Sequence, residues 1–338
     1  MSLPIESTTS SGQEKERHGR RYARELTLFV ASPICSDFLS FYRIATALLA
    51  LVTVVVISPS VLDIYGPEGF IQWVISDELL RVKTLPSLIQ ISDLLAPTGI
   101  SGSAVVKGAF AIYAAALVGL LLGWHTKLAA FAAWIIHFLI LNTSMVFGYG
   151  AETFLHIGLL YALLSPSAES WSLDARAGRT GTRRVSTDAR IAQRVLQAHA
   201  CIVYLNAGVA KCLGTDWWTG EAIWRATMQP NYAQFDMSWM AWIPLVSLLM
   251  GWLTLLIECG YAIFMWSSRT RPFWLAAVLL LHVGIGVLMG LWLFAAAMVV
   301  LNIAAFGWEY VNGVGQKLRI RPGFSMLGSV STRRAAKQ

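Results

Sequence analysis

The chain has 338 residues and a formal net charge of +7, and 56% of its residues are hydrophobic while only 13% are charged. Soluble domains carry about 25% charged residues, so this composition leaves too little charge to solvate a water-facing surface of that size. The composition therefore predicts a polytopic membrane protein. Its basic residues lie in loops and tails around apolar runs, which argues against nucleic-acid binding.

Eight apolar runs follow one another along the chain, and most approach the roughly 20 residues that a helix needs to cross a bilayer. They lie at about 38–57, 104–123, 128–146, 151–165, 192–212, 240–266, 273–288 and 291–306. We separate the last two runs because the glycines around Met289 favour a break there. The sequence thus predicts an all-α, polytopic helix bundle with about eight transmembrane helices.

Three regions follow from these spans. Residues 1–35 form a polar, basic tail without the early apolar core of a signal peptide, residues 36–308 form the transmembrane domain, and residues 309–338 form a second basic tail. Two connecting segments of the transmembrane domain, 58–103 and 213–239, are long. We expect interfacial helices in the first and a tryptophan-rich lid in the second.

The lysine and arginine residues predict the orientation of the spans. With a cytoplasmic N-terminus, nineteen of the 26 basic residues fall on the inside and three on the outside, with the remaining four inside spans. Basic loops stay on the cytoplasmic side of a membrane. We therefore expect a multi-pass protein of the cell (inner or cytoplasmic) membrane with both termini cytoplasmic and with both long segments extracytoplasmic.

Ionisable side chains inside a span are costly, so each one is a candidate functional group. Glu152 and His156 are spaced by four residues near the outer end of the fourth span and share one helix face. A carboxylate beside an imidazole orients the ring and raises its basicity, although a polar contact between helices is an equal alternative. His282 lies about ten residues into the seventh span, where it can face inward.

Lys211 ends the fifth span, and on position alone it can extend to the outer headgroups as an anchor. Its helix face favours another interpretation, because Tyr204 and Gly208 make the stripe that leads to it small and polar, as in a buried interface or pocket. Lys211, Glu152, His156 and His282 are therefore the candidate catalytic residues. Tyr204, Trp217 and Trp218 are the candidate substrate-binding residues.

The four cysteines form no C-x-x-C pair and lie in or beside apolar segments, where a free thiol behaves as a small hydrophobic group. Neither a disulfide framework nor a zinc site is predicted, and no nucleotide-binding or hydrolase motif is present. We predict no metal site. A haem held by two of His137, His199 and His282 is left open, although these residues lack paired spacing.

Several motifs resemble those of one membrane family. I-V-Y-L-N-A-G-V-A-K at 202–211 and D-W-W-T-G at 216–220 resemble the membrane segment of vitamin K-dependent gamma-glutamyl carboxylase. F-Y-R-I at 41–44, Y-G-P-E-G at 65–69, W-S-L-D at 171–174 and the run from His282 to Phe294 resemble further motifs of the carboxylase and its bacterial relatives. Together these matches cover about 38–306 and resemble the HTTM (horizontally transferred transmembrane domain) family.

The resemblance implies a chemistry for Lys211. The matching lysine of the carboxylase deprotonates the vitamin K hydroquinone, and oxygen then converts the quinol into a strong base that removes a proton from the glutamate gamma-carbon. By this resemblance we expect Lys211 to act as a base at the extracytoplasmic face, with a membrane quinol as cofactor and a small secreted peptide or a quinone as partner.

The chain also departs from the carboxylase. It ends about 30 residues after the last span, without the large soluble domain that engages the substrate propeptide, and Thr153 stands where the carboxylase has a histidine. Two other classes therefore stay open. One is a non-catalytic membrane subunit for maturation or export of a secreted peptide, as in sporulation-delaying toxin maturation, and the other is a transporter with broken helices.

The charge distribution makes a prediction about topology. In a cysteine-free background, a single cysteine placed within 85–95 or 225–235 should react with a membrane-impermeant thiol reagent in intact cells. A cysteine within 178–188 should react only after the cells are permeabilised, because that loop is rich in arginine and is retained inside. Labelling of 178–188 in intact cells would reverse the orientation.

Overall fold

The structure is a computed structural model that describes residues 8–80, 85–144, 148–180 and 185–312. Within these residues the chain is almost entirely helical. The helices are α1 (Thr8–Ala31), α2 (Asp37–Ile57), α3 (Val61–Tyr65), α4 (Trp73–Ile75), α5 (Leu88–Leu95), α6 (Gly102–Leu122), α7 (Thr126–Thr143), α8 (Gly150–Leu164), α9 (Leu173–Arg176), α10 (Thr187–Cys212), α11 (Thr215–Thr219), α12 (Glu221–Met228), α13 (Pro244–Phe264), α14 (Arg271–Met289) and α15 (Trp292–Asn302). The short strands β1 (Ile34–Cys35) and β2 (Val185–Ser186) pair antiparallel.

Six of the described helical stretches are long and apolar enough to cross a membrane. They are Asp37–Tyr65, Gly102–Leu122, Thr126–Thr143, Pro244–Phe264, Arg271–Met289 and Trp292–Asn312. The fourth and fifth predicted spans also fold as helices, but α8 is apolar and short, and α10 carries Asp188, Arg190 and Arg194 in its first half. The all-α class is therefore confirmed. Eight spans would require α8 and α10 to cross the membrane as well, and neither helix is long and apolar enough to be counted among the six.

The predicted break between the last two runs is present. Helix α14 ends at Met289, Gly290 adopts a left-handed conformation with φ of 70°, and α15 begins at Trp292. A side chain at Gly290 would be strained by this backbone, and its Cβ would lie 2.7 Å from Nε2 of Gln234. The glycine thus permits a tight turn between two antiparallel helices.

The tryptophan-rich segment after α10 folds differently from the expected lid. Helices α11 and α12 pack along α13, with Gly251 so close to α11 that a Cβ would lie 2.6 Å from the carbonyl oxygen of Trp217. Gly220, between α11 and α12, would place a Cβ 2.5 Å from the backbone nitrogen of Leu248. This part of the segment therefore belongs to the helix packing instead of covering it as a detached loop.

The N-terminal region also differs from a simple tail, because residues 8–31 form α1 and contact α10. The guanidinium of Arg194 lies 3.7 Å from the ring centroid of Phe29 and donates a hydrogen bond of 2.9 Å to the Phe29 carbonyl. Arg190 donates to the carbonyl of Ser32 at 3.0 Å. The predicted C-terminal basic tail from residue 313 onward lies outside the described residues, as do Arg81, Lys83, Arg183 and Arg184 of the charge count.

The apolar core has two main parts. The first lies between α2, α6, α7 and α8. The second lies between α10, α13, α14 and α15. Helix α15 also packs on α2 and α8, where the rings of Phe154 and Phe294 lie 6.0 Å apart between centroids. Each part of the core surrounds its own set of polar side chains.

Arg43 is fully buried and connects three parts of the chain at the end of the bundle opposite the 58–101 segment. Its Nε donates to the carbonyl of Ser167 at 3.0 Å and its Nη2 donates to the carbonyl of Trp171 at 2.8 Å. Its Nη1 donates to the carbonyls of Leu120 and Leu121 at the end of α6. These bonds hold α2 to the end of α6 and to the segment after α8.

Asp174 makes the complementary connection to the start of α7. Its carboxylate accepts hydrogen bonds from the backbone nitrogens of His125 and Thr126 at 3.0 and 2.8 Å, from the Thr126 hydroxyl at 2.7 Å and from Arg179 at 3.1 Å. Burial raises the pKa of the Asp174 carboxyl, but these hydrogen bonds outweigh burial and hold the pKa below its usual value. The W-S-L-D motif is thus part of the structural framework.

The Arg43 contacts predict a large stability loss on Arg43→Lys. A lysine has a single ammonium group and cannot reproduce the guanidinium fork, so several buried carbonyls lose their partners at about 1–3 kcal/mol each. We expect the unfolding midpoint of the purified protein in detergent to fall by about 10 °C. Arg225→Lys, at an arginine whose side chain is 62% exposed, is the control and should shift the midpoint little. Equal midpoints for the two variants would contradict this role.

Candidate functional site

Lys211 and Glu258 form an ion pair between α10 and α13, with 2.7 Å between Nζ and Oε2. The Lys211 side chain is 24% exposed and the Glu258 side chain is 10% exposed, so both charged groups are largely buried in the protein. The Lys211 ammonium also lies 5.2 Å from the ring centroid of Trp217. This geometry does not fit an anchor that extends to lipid headgroups, because the amine is directed at a buried carboxylate.

Gly208 lets α10 and α13 approach each other beside this pair. A Cβ at Gly208 would lie 2.9 Å from the backbone nitrogen of Cys259 and 3.1 Å from the Cβ of Glu258. Any side chain larger than hydrogen would therefore push the helices apart. At Gly208 the small stripe before Lys211 is thus a helix contact, which is one of the two alternatives that the sequence left open.

The pair lies where α10 ends and α11 begins. The indole of Trp218 donates to the carbonyl of Cys212 at 2.8 Å and so satisfies one of the terminal carbonyls of α10. The indole of Trp252 in turn donates to the Trp218 carbonyl at 3.0 Å. Along the axis of α13, Glu258 lies about 21 Å from Pro244, so the pair is far from the N-terminal end of that helix.

A second polar group lies two turns before Lys211 on α10. The Tyr204 hydroxyl and Nε2 of His282 are 2.6 Å apart, and Asn302 donates to the Tyr204 hydroxyl at 2.7 Å. Tyr261 donates to Asn302 at 2.8 Å, and its ring stacks on Tyr204 with 4.1 Å between centroids. Nδ1 of His282 is buried, and none of the described residues forms a hydrogen bond with it. The group joins α10, α13, α14 and α15.

The two groups lie on the same face of α10, because Tyr204 and Lys211 are seven residues, or two turns, apart. The contacts of Tyr204 within the described residues are structural, so its predicted role in substrate binding is not tested by them. The same holds for Trp217 beside the ammonium and for Trp218 at the end of α10.

Glu152 and His156 lie in the other part of the core. The Glu152 carboxylate accepts a hydrogen bond of 3.1 Å from the backbone nitrogen of Tyr149 and so caps the start of α8. His156 lies 5.4 Å from Trp134 and 5.5 Å from His137 between ring centroids. Among the described residues, no hydrogen bond, ion pair or ring contact links Glu152 or His156 to Lys211 or His282. That Lys211, Glu152, His156 and His282 act together therefore remains a prediction, and no direct contact between the described residues supports it.

A small cavity of about 30 Å³ lies beside Glu152. It is lined by polar groups on Tyr65, Tyr113, His137 and Glu152 and by apolar side chains of α2, α6, α7 and α8. The cavity has room for about one water molecule, whose hydrogen bonds these groups can satisfy. The capping bond and this cavity give Glu152 a structural explanation alongside the catalytic one.

Sequence reasoning did not include Glu258, Asn302 or Tyr261 among the site residues. The sequence does contain a signal for Glu258. A buried lysine requires a buried anion as its partner, and few carboxylates lie in the apolar runs. Asn302 carries no charge in an apolar run, so the sequence offered no signal for it. Within the described residues, no three His, Cys, Asp or Glu side chains are grouped so as to hold a metal ion.

Comparison of the chain with known proteins identifies its family. The family model for the HTTM domain matches residues 95–307. No curated protein and no solved structure matches the chain. The matched range includes α10, α13, α14 and α15, which carry the Lys211 pair and the Tyr204 group.

Proposed function

The chain belongs to the HTTM family, and from this premise we propose that it is a membrane enzyme in which Lys211 is the base for proton transfer from a quinol or peptide substrate. The observation that carries the proposal is the ion pair of Lys211 and Glu258, 2.7 Å apart and largely buried. Its chemistry is that of a vitamin K-dependent carboxylase-like enzyme, a lyase or oxidoreductase at the extracytoplasmic face.

Glu258 allows the lysine to lose its proton without leaving a net charge in the bundle. The ammonium with the carboxylate and the amine with the carboxylic acid are both neutral overall, and an apolar environment penalises the separated charges more than the neutral forms. When the proton lies on Glu258, the Lys211 amine has a free electron pair. It then accepts a proton from the hydroxyl of a quinol.

The neighbouring polar groups support this assignment. Nδ1 of His282 forms no hydrogen bond with the described residues, which leaves it a hydrogen-bonding position for a substrate. Tyr204 holds the other ring nitrogen of His282 in place. In this proposal His282 is a supporting hydrogen-bonding group. Glu152 and His156 act, if at all, from the other part of the core.

An apolar groove beside the pair favours a substrate with an apolar portion. The groove has a volume of about 350 Å³ and lies between α12, α13 and α14. It includes Thr254 and Ile257, which lie one turn before and immediately before Glu258 in α13. A quinol with a hydrophobic chain matches a polar site that adjoins such a groove.

We also propose that eight helices cross the cell membrane and that both termini are cytoplasmic. The charge distribution of nineteen inside basic residues against three outside supports this orientation. The short apolar helix α8 and the partly polar helix α10 complete the eight spans. In this orientation Lys211 lies in the extracytoplasmic part of its span.

A non-catalytic subunit that binds a secreted peptide is the second candidate. Exposed aromatic side chains favour it, since Phe235, Trp239 and Trp242 are 56%, 42% and 86% exposed in the segment before α13. Exposed aromatic residues are frequent anchors in protein interfaces, and tryptophan also marks membrane interfaces. The two candidates differ in whether Lys211 must lose a proton.

Lys211→Arg separates these candidates. Arginine keeps the positive charge and can pair with Glu258, but its pKa above about 12 prevents it from acting as a base. We expect the variant to insert and fold but to lose at least 100-fold of its oxygen-dependent consumption of vitamin K hydroquinone in proteoliposomes. Lys107→Arg, at an exposed lysine of α6, is the matched control and should retain activity.

Quinol consumption at the wild-type rate in the arginine variant would exclude Lys211 as the base. Absence of lysine-dependent quinol consumption in the wild-type protein, together with retained peptide maturation by Lys211→Arg in cells, would favour the non-catalytic subunit.

A further inference from the structure

Two cysteines that lie 47 positions apart in the sequence meet beside the Lys211 pair. The Sγ atoms of Cys212 and Cys259 are 3.6 Å apart, and both thiols are free and half-buried. Cys212 follows Lys211 in α10, and Cys259 follows Glu258 in α13. The seam between the two helices thus carries an ion pair and a thiol pair at neighbouring positions.

The backbone at this seam suits a covalent bond between the two sulfurs. A Cβ at Gly208 would lie 2.7 Å from Sγ of Cys259, so the helices approach as closely here as the glycine permits. A disulfide bond is about 2.05 Å long, which requires the sulfurs to move about 1.5 Å closer. Rotation about the two Cα–Cβ bonds is the movement that the proposal requires.

The thiol pair faces the outside of the helix bundle. Val209 of α10 and Leu213 directly after it are 47% and 83% exposed, and on α13, Leu256 and Ile263 are 58% and 69% exposed. These apolar side chains flank the cysteines on the same surface. In a membrane protein this surface contacts lipid tails, so an oxidant dissolved in the bilayer reaches the sulfurs directly.

We propose that Cys212 and Cys259 form a dithiol redox site whose oxidant is a membrane quinone. Two S–H bonds break and one Sγ–Sγ bond forms, and the two electrons and two protons convert the carbonyl oxygens of the quinone to the hydroxyls of a quinol. The inference rests on the proposed function only for the quinone class, since the thiol reaction does not require Lys211 as a base.

A thiol count tests the site. The reduced full chain in lipid nanodiscs is treated anaerobically with ubiquinone-1, then alkylated and analysed by intact mass and peptide mapping. We expect the wild-type protein to lose two of its four alkylatable thiols, to yield a peptide linking Cys212 to Cys259, and to form about one quinol per chain. Cys212→Ser and Cys259→Ser should each form no quinol, whereas Cys35→Ser combined with Cys201→Ser should retain the full yield.

Four alkylatable thiols in the treated wild-type protein would overturn the proposal, as would quinol formation that persists in Cys212→Ser. The thiol count of the wild-type protein tests the proposal even if a serine variant fails to fold. Lys211→Arg separates this site from the proposed function. Loss of quinol consumption with retention of the disulfide would leave the thiol site standing, and Lys211-dependent quinol consumption with no disulfide would remove only the thiol site.

Discussion

The buried guanidinium of Arg43 is the interaction on which the arrangement of the helices depends. It is fully buried, and its partners are the carbonyl oxygens of Leu120, Leu121, Ser167 and Trp171. At the end of α6 Arg43 donates to the Leu121 carbonyl and adds a second donor to the Leu120 carbonyl, which also accepts from the backbone nitrogen of Gly123. Helix α15 packs on both α2 and α8 and also on α14, which in turn packs on α13, so the helices around Arg43 are connected to those that carry Lys211 and Glu258. The F-Y-R-I and W-S-L-D motifs, which resemble those of the carboxylase, therefore have a structural role in this chain.

The sequence predicted the helix class and several boundaries because local signals decide them. Gly290 ends α14 through its left-handed backbone, and each apolar run overlaps one of the observed helices. The sequence did not predict the packing of α11 and α12 along α13. That packing depends on close backbone contacts at Gly220 and Gly251, which bring together residues about 30 positions apart. A tryptophan-rich segment looks the same in sequence whether it covers a bundle or belongs to it.

Helical spacing alone placed Tyr204, Gly208 and Lys211 on one face of α10. It did not indicate which residues of other helices meet that face. Sequence reasoning gave Glu258 no role in the site, whereas the structure pairs it with Lys211. His156, one turn from Glu152, packs on Trp134 in the other part of the core. The order of helices around a bundle decides such pairings, and the spacing within one helix does not contain that order.

A double-mutant cycle on Lys211 and Glu258 tests most directly whether the lysine is paired inside the bundle. Unfolding midpoints are measured for Lys211→Met, Glu258→Leu and the double variant in the same detergent. The account predicts that each single change lowers the midpoint, because it leaves one largely buried charge unpaired, and that the double variant recovers most of the loss. Losses that simply add in the double variant, or a Lys211→Met protein as stable as the wild type, would contradict it.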